Sequence, residues 1–197
     1  MIAAGRLPTR MRLFFAIELG APLLDVLDTA IAPLRAEAPE LSWTSREKCH
    51  LSLKFLGDVP DDAAPRLVNA ADRVAANHRL LEMNVREVGA FPNFRRARVV
   101  WIGVEQDPRL ELLHHDLEIA CEQAGFEVEG RPFRPHITLA RVHAPITIER
   151  ARALARVARS VRLRVAEQVK QITLIESMLA PSGAHYRRVH AATFKGC

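Results

Sequence analysis

Apolar positions recur at two spacings along this chain, and each spacing predicts a different element. Continuous or alternating apolar runs are typical of strands, whereas spacings of three and four residues are typical of helices. The run 12–18 therefore predicts a strand, and Leu23, Leu27 and Ile31 predict a helix that begins near Pro22. By the same criteria we predict helices over 61–77, 108–125 and 148–158 and strands over 49–56, 81–88, 98–104, 126–128, 135–142, 161–165, 169–177 and 186–194.

The order of these elements repeats. Apart from the short run 126–128, the order after the first strand is helix, strand, helix, strand, strand, and it then occurs a second time. This repeat predicts an α+β fold that is bilobal, with two antiparallel sheets facing a central cleft, helices on the outside and a pseudo-twofold duplication. No Gly- or Ser-rich linker separates the halves, so we predict one bilobal domain over 11–197. Residues 1–10 lack the apolar core of a signal peptide and are predicted to form a flexible extension.

Two tetrapeptides share one pattern and lie in predicted strands. The first, HLSL, begins at His50, and the second, HITL, begins at His136. Because side chains two residues apart project from the same face of a strand, His50 lies beside Ser52 and His136 beside Thr138. If the two strands occupy equivalent places in the two halves, both imidazoles and both hydroxyls meet in the cleft. The alternative for either histidine taken alone is a structural role.

This set of groups suits phosphodiester chemistry without a metal or another cofactor. Histidine titrates near neutrality, with an unperturbed pKa of about 6.5. One neutral and one protonated imidazole can therefore serve as general base and general acid in one turnover. The sequence does not assign the two roles, although we favour His136 as the base and His50 as the acid. Ser52 and Thr138 are predicted to bind the non-bridging phosphoryl oxygens.

Basic residues beside the motifs are candidates for phosphate binding. Arg134 lies two residues before His136 and shares its face, and Arg141 follows the second motif. Lys54 lies two residues beyond Ser52, so strict alternation places it in the cleft as well. The alternative is a surface salt bridge for Arg134 and a solvated side chain for Lys54.

The composition favours an anionic partner. The net charge is +5, with 28 Lys and Arg against 23 Asp and Glu, and all but four of the basic residues are Arg, which binds phosphate with two hydrogen bonds. Phe91 and Tyr186 are candidates to stack on a base, with core or rim packing as the alternative for Phe91. The three cysteines are scattered and no apolar run is long enough to span a membrane, so we expect a cytoplasmic monomer.

Together these motifs resemble the RNA 2′,3′-cyclic phosphodiesterases, also called 2′-5′ RNA ligase-like proteins, of the two-histidine phosphoesterase superfamily. The residues that carry the resemblance extend over nearly the whole chain from Met11 and comprise Trp43, His50–Gly57, Phe91-Pro92, Ala97–Trp101, Pro135–Arg141, Leu174–Ser177 and Tyr186. The resemblance implies a bilobal fold and metal-free hydrolysis of terminal 2′,3′-cyclic phosphates to 2′-phosphomonoesters. Ser52 departs from the family, which usually has Thr there, and loses the methyl group that restricts χ1.

Two other functions remain open at this stage. The first is ligation, in which a 5′-hydroxyl replaces water and the reverse chemistry joins RNA ends through a 2′-5′ bond. The second is a non-catalytic module that binds RNA ends or cyclic nucleotides carrying a 2′,3′-cyclic phosphate. A binding module needs hydroxyls and arginines but no proton-donor and proton-acceptor pair, so the presence of both His50 and His136 favours an enzyme.

Overall fold

Nine antiparallel strands form one curled sheet in the computed structural model, which describes residues 10–181 and 183–196. The strands are β1 (Arg10–Glu18), β2 (Ser42–Trp43), β3 (His50–Pro60), β4 (Leu81–Phe91), β5 (Val99–Val104), β6 (His136–Arg141), β7 (Val165–Val169), β8 (Gln171–Ala180) and β9 (Gly183–Thr193). The helices are α1 (Ala21–Glu37), α2 (Ala64–Asn77), α3 (Pro108–Gln123) and α4 (Ile148–Ser160), with short 3₁₀ turns at Arg46–Lys48, Asp61–Ala63 and Phe94–Arg96. The α+β class is therefore confirmed.

The strand order places the two motif strands side by side at the centre of the sheet. The order is β7-β4-β5-β6-β3-β1-β8-β9, and β2 pairs with β6 outside this path. Four strands thus lie on each side of the junction between β6 and β3, where Leu51 pairs with Ile137. The two predicted sheets are consequently halves of one continuous sheet joined at this pair. The pseudo-twofold duplication itself remains a prediction.

The hydrophobic core lies under one face of the sheet and is covered by the helices. Leu51 of β3, Ile137 of β6 and Ile102 of β5 are fully buried there, and the apolar stripes of α1 and α2 pack against the same core. Each large aliphatic side chain buried in this way contributes about 1.5–3 kcal/mol to folding. Because neighbours on a strand face opposite sides, burial of Leu51 and Ile137 turns both motif histidines toward the other face.

The clearest differences from the predicted elements concern three strands, and the short β2 was not predicted. Residues 126–128 are not a strand, and the strand predicted at 161–165 lies at Val165–Val169. Leu163 is buried all the same, so its alternating pattern reflects packing without strand pairing. The first motif strand continues past Gly57 to Pro60 because Gly57 adopts a φ of 71° in a bulge.

The predicted flexible extension over 1–10 lies outside the described residues, except that Arg10 already pairs with Pro60 in the sheet.

Candidate active site

A β-bulge follows the hydroxyl residue in both motif strands. In β3 the extra residue is Leu53, directly after Ser52, and in β6 it is Leu139, directly after Thr138. Each bulge lets two residues oppose one on the neighbouring strand and reverses the alternation of faces beyond it. The histidine and hydroxyl that precede each bulge are half-buried on the face away from the core.

The bulge in β3 turns Lys54 toward Glu118 of α3, although its side chain still lines the cavity beside Ser52. Lys54 is only 5% exposed, and the next residue, Phe55, is 68% exposed and lines the same cavity as Ser52 and His136. Lys54 is therefore not a solvated side chain, and its contact with a substrate stays a prediction. In β6 the corresponding exposed position is Arg141, and its contact with a phosphate stays a prediction.

A backbone carbonyl group two residues upstream holds His50 in one tautomer. Its Nδ1 lies 2.8 Å from the carbonyl oxygen of Lys48, which only accepts hydrogen bonds, so Nδ1 carries the proton of the neutral ring. Its Nε2 lies 3.1 Å from Ser52 Oγ and accepts the hydroxyl proton. The serine hydroxyl is therefore in contact with its neighbouring histidine, closer than parallel side chains on a strand predict.

His136 repeats this arrangement in the other motif. Its Nδ1 donates to the carbonyl oxygen of Arg134 at 2.7 Å, again two residues upstream. Nε2 of the neutral ring is thus the basic atom in both histidines. Two equivalent nitrogen atoms, each with a hydroxyl residue two positions along the strand, face the same side of the sheet.

Aromatic rings pack against His50. The ring of Phe14 in β1 lies 4.9 Å from the imidazole, and Tyr186 in β9 makes an edge contact at 5.5 Å. Phe14 also contacts Phe55, so an aromatic surface continues from His50 to the exposed ring beyond the bulge. Tyr186 therefore borders the histidine, while its stacking on a base remains a prediction.

Two further rings pack against His136. Phe91 in β4 lies 5.0 Å from the imidazole and perpendicular to it, and Trp101 in β5 lies 6.5 Å away. The Trp101 ring lies over Gly89, where a Cβ atom would overlap with the indole. Phe91 is thus at the site as predicted, in a position that fixes the histidine ring, and its role toward a base stays a prediction.

Electrostatics link the two motifs. Burial lowers the pKa of His50, and the positive charges of Arg141 and His136 lower it further, against opposing contributions from the Lys48 carbonyl and Glu18. The pKa of His50 thus depends on charges of the second motif strand. The neutral form of His50 is consequently favoured at neutral pH.

A cavity of about 610 Å³ opens beside these groups. Its volume falls within the range usual for small-molecule sites. Its wall includes Ser52, His136, Phe91 and the exposed Arg134, together with the segment 129–133. A second cavity of about 220 Å³ lies on the His50 side and is lined by residues that include Glu18, Arg46, Glu47, Tyr186 and Arg188.

The two motifs and their surroundings match a known family model. The model described as the 2′-5′ RNA ligase superfamily covers residues 23–177, which include both tetrapeptides. The chain belongs to this superfamily. The resemblance carried by the His50 and His136 motifs is therefore confirmed.

Relatives within the superfamily cover almost the whole chain. An RNA 2′,3′-cyclic phosphodiesterase of Methanothermobacter thermautotrophicus is 29% identical over 90% of this chain and 95% of its own length. The crystal structure of TT0787 of Thermus thermophilus has a TM-score of 0.75 at 27% identity, covering 94% of this chain and 99% of that one. LigT of E. coli complexed with 3′-AMP has a TM-score of 0.71 at 26% identity, with 94% and 99% covered.

In this member of the superfamily, Lys54 forms a buried ion pair that ties three parts of the fold together. Lys54 Nζ donates to Glu118 Oε2 of α3 at 2.6 Å and to the carbonyl oxygen of Glu127 at 2.7 Å. The same Glu118 oxygen accepts the backbone N–H of Glu129 at 3.0 Å. The segment 126–135, which forms one wall of the larger cavity, is therefore anchored to β3 and α3.

The cavity wall also contains side chains that sequence patterns did not single out. Phe133 stacks on His114 of α3, with ring centroids 4.0 Å apart and planes 12° from parallel. Phe55 reaches the site because of the bulge at Leu53, and Phe14 of β1 pairs with Phe55 in the sheet. Bulges leave no mark in the apolar period, so sequence spacing had no means of finding these residues.

Other reactive groups are few near the site. Burial raises the pKa of the Cys49 thiol to about 11 and that of Cys121 to about 12, so both are protonated at neutral pH. Over residues 10–181 and 183–196, no three His, Cys, Asp or Glu side chains are grouped closely enough to hold a metal ion. Among the described helices, none is both long and apolar enough to cross a membrane.

Loss of either partner of the buried pair is expected to destabilise the fold. In Lys54→Met the Glu118 carboxylate stays buried without its cation, which costs about 3–5 kcal/mol in the free energy of unfolding. The double variant Lys54→Met with Glu118→Leu removes both charges and is expected to recover most of this loss. Urea unfolding measures all three proteins, and a single variant as stable as the parent would contradict a structural role for the pair.

Proposed function

We propose that this protein is an RNA 2′,3′-cyclic phosphodiesterase that hydrolyses a terminal 2′,3′-cyclic phosphate to a 2′-phosphomonoester without a metal. The observation that carries the proposal is the pair of equivalent imidazoles, His50 and His136, each with Nδ1 bound to a backbone carbonyl and Nε2 turned to the cleft. The names of the related phosphodiesterases support the same substrate class.

The proposed reaction needs two proton transfers, and each imidazole makes one of them. One imidazole accepts a proton from water as the water oxygen attacks phosphorus, and the bond from phosphorus to O3′ breaks. The other imidazole donates a proton to O3′ as that oxygen leaves. When substrate binds, the Ser52 hydroxyl turns its proton from His50 Nε2 to a non-bridging oxygen, which frees that nitrogen to act. Ser52, Thr138 and the guanidinium of Arg141 then offset the charge on the non-bridging oxygens, where stabilisation counts most. Arg134, at the cavity wall, is a second candidate for this contact.

The electrostatics favour His50 as the base. A base must be neutral before the reaction, and burial together with the charge of Arg141 lowers the pKa of His50. This assignment is the opposite of the one that we favoured from the sequence. His136 then serves as the acid that protonates O3′.

Ligation remains an alternative because it uses the same groups and differs in the nucleophile. A 5′-hydroxyl that enters in place of water gives a 2′-5′ bond, and analysis of the products distinguishes the two outcomes. The expectations of a cytoplasmic location and a monomeric state remain predictions.

Removal of either histidine is expected to abolish hydrolysis. His50→Ala and His136→Ala should each lower kcat for a nucleoside 2′,3′-cyclic phosphate by about 10²–10⁴, because each supplies one proton transfer. His115→Ala, at an exposed position of α3, is the matched control. The assay is run in excess chelator, and phosphorus NMR identifies the phosphate position in the product. Unchanged turnover in either variant would refute the two-histidine mechanism, and loss of activity in chelator would refute metal independence.

Removal of either hydroxyl is expected to weaken the reaction. Ser52→Ala and Thr138→Ala each delete one donor to a phosphoryl oxygen, an effect of about 10²–10³ in kcat for comparable donors. Ser52→Thr keeps the donor and should retain most of the activity. Steady-state kinetics separate the effects, and equal losses in Ser52→Thr and Ser52→Ala would show that the hydroxyl is not the group that matters.

A substrate with a better leaving group tests the assignment of acid and base. In a 3′-deoxynucleoside 2′-(4-nitrophenyl) phosphate, nitrophenolate leaves without a proton, so His136→Ala should lose much less activity than it does with the cyclic phosphate. His50→Ala should lose the same on both substrates. With His50 as base, kcat/KM should fall on acidification only below pH 6.5, because its lowered pKa keeps the ring neutral above that value. The reverse pattern of losses would exchange the two roles.

A further inference from the structure

Two segments of the chain contain arginine but no acidic residue. Neither 91–104 nor 130–148 includes an Asp or a Glu, although 23 of the 197 residues in the chain are acidic. The arginines in these two segments are Arg95, Arg96, Arg98, Arg131, Arg134 and Arg141. Pairing between β5 and β6 brings the two segments together.

Three of these arginines lie in the turn after Phe91, and Arg98 is the one beside the site. The Arg98 backbone N–H donates to the carbonyl oxygen of Phe91 at 2.8 Å, and its own carbonyl accepts from Val142 at 2.9 Å. Phe91 contacts His136, and Val142 follows Arg141 directly. Arg98 is thus next to two residues of the site, at the edge where β4, β5 and β6 end or begin.

The turn between β4 and β5 carries the arginine patch, which we define as Arg95, Arg96 and Arg98. All three side chains are exposed, and together with His143 they line a cavity of about 520 Å³. Within the described part of the chain, none of the three guanidinium groups forms an ion pair with a carboxylate. Clustered positive charges without counter-charges create a potential that attracts a polyanion, and the guanidinium fork matches phosphate oxygens.

The opposite side of the cleft differs in charge. Arg188 pairs there with Glu18 at 2.8 Å, and Arg46 pairs with Asp28 at 3.1 Å and with Asp25 at 2.7 Å. These arginines are already neutralised by neighbours. A polyanion that extends from the site is therefore attracted more strongly to the side of β5 and β6.

We propose that the arginine patch binds the phosphodiester backbone of RNA upstream of the terminal nucleotide. The preferred substrate is then an RNA chain, and a mononucleotide 2′,3′-cyclic phosphate occupies the site without the added contacts. This inference rests on the proposed function. Phosphate contacts carry affinity with a strong salt dependence, with a slope in log K of about 0.7 per phosphate for single strands.

The test compares two substrates that end in the same nucleoside. One is the mononucleotide 2′,3′-cyclic phosphate and the other is a single-stranded decamer RNA with that end. The patch variant changes Arg95, Arg96 and Arg98 to Gln. The matched control changes Arg66, Arg73 and Arg79 to Gln. These three arginines are exposed in or just after α2, so their substitution removes the same charge. Thermal melting confirms that both variants fold.

The parent protein is expected to prefer the decamer, with a lower KM than for the mononucleotide. The patch variant should lose at least about tenfold in kcat/KM on the decamer, mainly through KM, and less than about twofold on the mononucleotide, because only the decamer reaches the patch. Its salt slope on the decamer should fall, and the control should match the parent. Equal losses on both substrates, or no loss on the decamer, would overturn the proposal.

Failure of the proposed function gives a different result. In that case the parent turns over neither substrate, and fluorescence anisotropy with a decamer that ends in a 3′-hydroxyl still tests the patch. Weaker binding by the patch variant than by the control supports the RNA surface, and equal binding overturns it.

Discussion

The pairing of β3 with β6 at Leu51 and Ile137 is the constraint on which the site depends. Each half of the sheet is covered by helices and brings one imidazole and one hydroxyl residue to the junction. Because Leu51 and Ile137 are fully buried, the pairing also determines which face the histidines occupy. A slip of one residue in either strand would turn its histidine into the core. The register of the central pair therefore also sets the orientation of the two motif histidines.

The sequence allowed the positions before the bulges to be predicted but not those after them. His50, Ser52, His136 and Thr138 lie where a two-residue period places them, since each motif is regular up to its hydroxyl. Lys54 instead turns toward Glu118 of α3, because one extra residue in β3 reverses the alternation. A bulge depends on pairing with a distant strand, and no local spacing records that pairing. The placement of Arg141 was inferred from proximity to the motif, without strict alternation, and so was unaffected by the bulge.

The helices were predicted more reliably than the short strands for a related reason. A helix of three or more turns repeats its apolar stripe several times, whereas 126–128 and 161–165 offered only one or two repeats. Apolar side chains in both segments pack against the core without giving the predicted strands. The same holds for charge. Composition indicated an anionic partner. Only the structure shows that carboxylates neutralise Arg46 and Arg188, whereas the arginine patch has no such ion pair among the described residues.

The segment 126–135 has no regular secondary structure, yet both of its ends are fixed. At one end, Glu118 accepts the backbone N–H of Glu129, and Lys54, its ion-pair partner, donates to the carbonyl oxygen of Glu127. At the other end, the Arg134 carbonyl accepts a hydrogen bond from His136. The residues between these anchors form the cavity wall but support no strand. Substitutions at 130–133 would therefore reshape this cavity wall, while the contact of the Arg134 carbonyl with His136 and the strand pairing stay in place.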